Sequence, residues 1–170
     1  MRKQSVESVV QAFEAGTVRY LLVGGLAVVA HGVVRFTADM DVVLDMTSEN
    51  IQRAVRVLTS LGYKPRAPVP LGDFADSEKR AEWVAQKGLT VFSLWNASDP
   101  MTEIDLFIEN PFDDFERAYQ SSVQLEIAPG VMAHIVGLSD LIALKQKANR
   151  PQDIRDIEKL RQLERVNGKE

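Results

Sequence analysis

Apolar residues recur along the chain with two distinct periods. Val6, Val9, Val10 and Phe13 share one helical face and predict a helix over residues 5–15. Tyr20-Leu21-Leu22-Val23 is a short apolar run closed by Gly24-Gly25, the pattern of a buried strand. Leu26 to His31 then predicts a short helix stopped near Gly32. Met40, Val42 and Leu44 alternate with Asp41 and Val43, which is strand spacing. Behind Thr47-Ser48-Glu49-Asn50, the residues Ile51, Val55 and Leu58 repeat at helical spacing and Gly62 ends the run. Tyr63 to Arg66 predicts a strand, and Pro65, Pro68 and Pro70 break the following stretch into a loop through Phe74. Ser77 to Gln86 reads as a helix. Leu89 to Trp95 and Glu103 to Ile108 read as paired strands joined by a turn around Ala97-Ser98-Asp99-Pro100. Phe112 to Tyr119 predicts a helix, and Val123 to Ile127 and Val131 to Val136 flank the hairpin signal Pro129-Gly130. Ser139 is placed to cap a helix to about Ala148. Pro151 opens a last helix at the position where a missing N–H costs nothing.

Strands and helices mixed in this order, without repeats, predict an α/β (α+β) fold: one domain over residues 1–170, with a mixed sheet flanked by helices. A chain of 170 residues with 45% hydrophobic and 26% charged positions can build a core without staples. The absence of cysteine excludes disulfides and thiolate metal sites and agrees with a cytoplasmic location. No apolar run approaches the length of a membrane span, and Met1 to Glu7 leads into an amphipathic pattern rather than a signal-peptide core. A formal charge of −4 and a pI near 5.3 argue against bulk nucleic-acid binding, which needs a basic surface.

The chemistry concentrates between Val23 and Asp45. A strand runs into two glycines at a helix start. Without β-carbons a bulky group can approach the backbone there, and the free amides of a helix N-terminus favour phosphate. Asp39 and Asp41 follow at i and i+2, the spacing that puts two strand residues on one face roughly 7 Å apart. Were their charges drawn to about 4 Å, repulsion would be about 4 kcal/mol at an effective dielectric near 20. A hard divalent cation such as Mg²⁺ turns that penalty into attraction. Either feature alone is common in turns and on solvated strands. Together they outline a phosphate cradle beside a metal pair.

Gly24-Gly25-Leu26-Ala27, His31-Gly32, Arg35-Phe36-Thr37 and Asp39-Met40-Asp41 resemble the signature of the nucleotidyltransferase superfamily, and most nearly its AbiEii-like branch, named for abortive-infection toxins. The resemblance implies that Gly24, Gly25, Arg35 and Thr37 bind the nucleotide. It also implies that Asp39 and Asp41 hold Mg²⁺ or Mn²⁺, and that a third carboxylate on a neighbouring strand completes the metal site or acts as base. In the alternating segment Thr102-Glu103-Ile104-Asp105-Leu106 that carboxylate is Asp105, with Glu103 as the fallback. The likeness extends to Leu138-Ser139-Asp140-Leu141-Ile142-Ala143-Leu144-Lys145 and to Arg150-Pro151-Gln152-Asp153-Ile154-Arg155-Asp156. It implies there that Lys145 and either Asp153 or Asp156 belong to the nucleotide site. Gly25 stands where many members carry serine.

The expected function is therefore Mg-dependent transfer of an NMP from an NTP to an acceptor hydroxyl on a small molecule, an RNA or a protein. The branch resembled adds the expectation of a toxin with a cognate antitoxin protein as partner. The alternative is an inactive nucleotidyltransferase-like protein that binds a nucleotide or a partner. Several other residues fit structural roles better. His31 reads as a helix-end cap and His134 as a hairpin residue, while Trp83 and Trp95 belong to core or partner surface. Asp113, Asp114 and Glu116 complement a helix start. Arg161, Arg165 and Lys169 alternate with Glu158 and Glu164 on a solvated helix face.

Overall fold

A computed structural model describes residues 1–167. Lys169 of the expected solvated face lies outside the described residues, while Glu158, Arg161, Glu164 and Arg165 are exposed as expected. Among the described residues no helix is long and apolar enough to cross a membrane.

The element order is α1 (Lys3–Ala15), β1 (Tyr20–Leu22), α2 (Gly24–Ala30), β2 (Asp39–Leu44), α3 (Ser48–Ser60) and β3 (Lys64–Pro65). A 3-10 turn (Leu71–Ala75) leads into α4 (Ser77–Lys87), followed by β4 (Val91–Asn96), β5 (Asp99–Phe107) and α5 (Phe115–Gln120). The chain closes with β6 (Val123–Ala128), β7 (Val131–Ile135), α6 (Leu138–Ala148) and α7 (Pro151–Asn167). The strands form one mixed sheet in the order β3-β4-β5-β2-β1-β7-β6. β2 runs antiparallel to β1 and parallel to β5, so the chain between β2 and β5 must cross over, and it does so through α3, edge strand β3, α4 and β4. The expected α/β fold with a mixed sheet flanked by helices is the fold found.

The pleat sorts the residues of β2, β4 and β5. Met40, Val42, Phe92, Leu94, Ile104 and Leu106 are buried on one face, with α3 packed on the 3-10 turn. Asp39, Asp41, Ser93, Glu103 and Asp105 alternate onto the other, where α2 packs on β2 and on α6. Val43 is fully buried although it alternates with the others, so only the first half of β2 faces solvent.

Three local expectations are corrected. The stretch after the prolines is not loop throughout, because Leu71 and Phe74 are drawn into the core as a 3-10 turn. The helix expected from Phe112 begins at Phe115, where the Asp114 carboxylate accepts the N–H groups of Glu116 and Arg117. Ser139 lies inside the first turn of α6. Gly137 is the cap residue, with no side chain to bond. Trp83 stacks on Phe92 in the core, and His31 caps α2 with its ring Nε2 2.8 Å from the Val136 carbonyl.

Candidate active site

The turn between β1 and α2 is shaped by two glycines for different reasons. Gly24 has φ near +60°, a conformation that residues with a β-carbon rarely adopt. A β-carbon there would also fall onto the Asp41 carboxylate. Gly25 is buried, and a β-carbon on it would meet Thr37 Oγ1 at 2.5 Å and Arg35 Nη2 at 3.2 Å. Thr37 and Arg35 therefore lie directly over the glycine turn. The Asp41 carboxylate packs against Gly24 at the start of α2.

Parallel pairing of β2 with β5 sets Asp41 opposite Asp105 and Asp39 opposite Glu103. All four carboxylates thus project from one face. Asp39 is exposed, and Asp41 and Asp105 are half-buried. Burial raises the Asp41 carboxyl above its ordinary value, and the charge of Asp105 adds to the rise. Burial raises Asp105 too. A hydrogen bond from Ser93 Oγ to Asp105 Oδ1 at 2.5 Å opposes the rise, while Glu103 and Asp39 reinforce it. Glu103 is already engaged, because Arg66 donates to both of its oxygens at 2.9 and 2.8 Å. Among the described residues no three His, Asp or Glu side chains close into a metal cage. The donor set nonetheless fits a hard divalent cation: oxygen ligands from two adjacent strands, two of them held in an unfavourable like-charge pair.

The wall beside this face is a buried ion network. Lys145 Nζ donates to Asp153 Oδ1 at 3.0 Å and to Asp156 Oδ2 at 2.8 Å. Arg35 reaches the same Asp156 oxygen, and Gln152 donates to Asp156 Oδ1 at 2.8 Å. Arg150 donates through its backbone N–H at 3.2 Å and its Nε at 2.8 Å to Asp153 Oδ2. Burial pushes both aspartates up, yet the hydrogen bonds from Arg150 and Lys145 to Asp153, and from Lys145 and Gln152 to Asp156, leave both below their ordinary value. The residues expected from the C-terminal segment do come together, and Arg35 ties them to the glycine turn. Lys145 does not stand as a free cation. A direct bond from it to a phosphate would have to displace one of its aspartates.

The family model described as "Nucleotidyltransferase of unknown function (DUF6036)" matches residues 4–168. The chain belongs to this family. It is a nucleotidyltransferase. Its fold is similar to the crystal structure of the lincosamide antibiotic adenylyltransferase LnuA bound to lincomycin, with TM-score 0.62, 16% identity, and 96% of this chain and 98% of that chain covered. It is also similar to ANT(2")-Ia in complex with adenylyl-2"-tobramycin, with TM-score 0.57, 14% identity, and coverage of 96% and 95%. No curated protein matches it in sequence. The superfamily expected from the sequence is the one found; the AbiEii-like branch is a finer assignment that these likenesses do not carry.

Three residues of this candidate site are not indicated by the sequence: Ser93, Arg66 and Arg150. For Ser93 the obstacle is geometric. Continued from the Asn96–Asp99 pair, a regular hairpin would set Ser93 against Thr102 on the core face. The irregularity between Leu94 and Asn96 shifts the register, so that Ser93 meets Asp105. Arg66 reaches the site because its N–H bonds the Ser93 carbonyl, which extends the same row to the edge strand.

Proposed function

We propose that this nucleotidyltransferase moves a nucleoside monophosphate from an NTP to the hydroxyl of a small-molecule acceptor. Asp39 and Asp41 hold Mg²⁺ or Mn²⁺ in this reading, Asp105 stands beside them as the base, and Gly24, Gly25, Thr37 and Arg35 line the phosphate side. The observation that supports it best is the register that sets Asp41 against Asp105 beside the glycine turn. Bound at these carboxylates, the cation would grip the phosphate oxygens and offset charge developing on the departing pyrophosphate.

The chain's own groups supply the rest. Gly24 and Gly25 leave the backbone bare where phosphates approach. Lys145, Asp153 and Asp156 hold Arg35 against that turn. Asp105 Oδ1 accepts the Ser93 hydroxyl, which leaves Oδ2 to take the proton of the acceptor hydroxyl. The acceptor oxygen bonds to the α-phosphorus, the bond from that phosphorus to the bridging oxygen breaks, and pyrophosphate leaves.

A small-molecule acceptor is favoured over RNA by the net charge of −4. It is favoured also by the likeness to two adenylyltransferases described with lincomycin and with adenylyl-2"-tobramycin. A toxin role with a neutralising partner rests on the resemblance of the sequence motifs to the AbiEii-like branch alone, and an antitoxin gene beside this one would be its test. Activity is tested by incubation with each α-labelled NTP, Mg²⁺, and separate metabolite, RNA and protein fractions. Label is expected in the metabolite fraction and is lost in Asp41→Asn. Label only in RNA or protein would overturn the acceptor class, and equal labelling by Asp41→Asn would overturn the site.

A further inference from the structure

We propose that Arg150 is the cation that receives the triphosphate of the NTP at this site, presenting its two terminal nitrogens as a fixed fork. The inference rests on the nucleotide-transfer reading above and assigns a residue which that reading does not use.

Three cations belong to the wall beside the glycine turn, and two of them are largely buried and held by protein partners. Lys145 is 5% exposed and donates to two aspartates. Arg35 has a side chain 19% exposed, with Nη1 on Asp156 and Nε on the Phe36 carbonyl at 3.1 Å. Arg150 differs on both counts. Its side chain is 75% exposed, and its only side-chain bond among the described residues runs from Nε to Asp153. Among the described residues Nη1 and Nη2 have no hydrogen-bond partner.

That single bond sets the geometry. Anchoring Nε fixes the guanidinium plane, so the remaining donors form a fork of the kind that binds phosphate with two parallel bonds. The anchor is itself rigid, because Asp153 is buried and held by Lys145, which also holds Asp156 against Arg35. Asn149, with φ near +51°, turns the chain between α6 and α7 and delivers Arg150 immediately before Pro151. Asp153 shares Lys145 with Asp156, and Asp156 holds Arg35 over Gly25, so the fork belongs to the network that walls the glycine turn. An arginine there complements a polyanion whose other end meets the carboxylates through a cation.

The test is the affinity of the wild-type chain and its variants for each common NTP with Mg²⁺, and for the matching nucleoside, by calorimetry. Arg150→Gln is expected to weaken NTP binding about 10- to 100-fold, as for loss of a charged hydrogen-bonded pair, and to leave nucleoside binding nearly unchanged, both read at matched folded concentration because the variant also takes a partner from buried Asp153 and lowers the melting temperature. Arg150→Lys keeps the charge without the fork and should fall between. NTP binding by Arg150→Gln equal to wild type would overturn the assignment, as would an equal loss for the nucleoside. If Arg150→Gln fails to fold, Arg150→Lys decides by the same pair of affinities. A wild-type chain that binds no NTP would instead overturn the nucleotide-transfer reading itself, and Arg150 with it.

Discussion

Asp41 and Asp105 stand directly opposite one another on neighbouring parallel strands, half-buried, with both carboxyls raised above their ordinary range. A fold that only needed to be stable would not keep this pair. Burial and like charge both disfavour it, and apolar residues at these positions would continue the sheet more cheaply.

Because the folded carboxyl is raised, the native chain holds its proton more tightly than the unfolded chain. The resulting stability is present in acid and is lost as pH rises from the ordinary carboxylate value through the raised one. At neutral pH the metal-free fold carries the penalty. Asp41→Asn should therefore raise the melting temperature in chelator at neutral pH, with the gain shrinking in acid buffer. Adding Mg²⁺ should raise the melting temperature of the wild type and leave the variant unmoved. A variant less stable than wild type in chelator would remove the argument for a strained pair.

Glu103 and Asp105 share a face, and the sequence alone could only rank them. Their partners separate them: Glu103 carries Arg66 on both oxygens, whereas Asp105 carries one hydroxyl and keeps an oxygen free. Glu103→Gln is expected to retain transfer within a few-fold of wild type, and Asp105→Asn to lose it. The measurement is label transfer by both variants at matched folded concentration. The opposite pattern would reassign the third carboxylate.

Lys145 compensates two buried carboxylates, so its removal is a stability event before it is a catalytic one. Lys145→Met leaves Asp153 and Asp156 short of a partner, at a cost of about 3–5 kcal/mol. Both aspartates have folded values below their ordinary range, so their contribution is present above that range and is lost as pH falls through the lowered values. The loss caused by Lys145→Met should be largest at neutral pH and fade in acid, read by denaturant melts across pH. A stable Lys145→Met that binds NTP poorly would restore the direct phosphate contact that the resemblance implied.

What could be read from the sequence divides along physical lines. The carboxylate pair on β2 was legible because i, i+2 spacing on a strand fixes a face without tertiary knowledge. Asp105 was reachable because β5 also alternates. Its pairing with Asp41 rather than Asp39 depends on a parallel register that only the crossover sets. Ser93 was hidden by an irregular hairpin, and Arg150 by its place in a link between helices, where no period applies. Lys145 is reached only through the resemblance; that it is held by two aspartates of α7 depends on the packing of α6 against α7, which helix spacing does not show.

Gly25 gives the sharpest separation of folding from phosphate approach. Serine occupies this position in many members of the superfamily the sequence resembles, so Gly25→Ser would be expected to pass unnoticed. The packing says otherwise, because any β-carbon meets Thr37 Oγ1 at 2.5 Å and the Thr37 β-carbon at 3.0 Å. Gly25→Ala and Gly25→Ser should each cost about 1–3 kcal/mol, as overpacking does in a tight site. Thr37→Ala removes the hydroxyl oxygen that clashes first. The double variant Gly25→Ala/Thr37→Ala should therefore be more stable than the two single losses summed, a coupling a double-mutant cycle measures. Nucleotide affinity should behave differently. If phosphates rest on the bare backbone of this turn, the β-carbon still stands in their way after Thr37 has yielded. The double variant should then regain stability without regaining NTP binding. Recovery of both together would mean that Gly25 is small for the sake of Thr37 alone, and the phosphate cradle would have to be sought elsewhere along the start of α2.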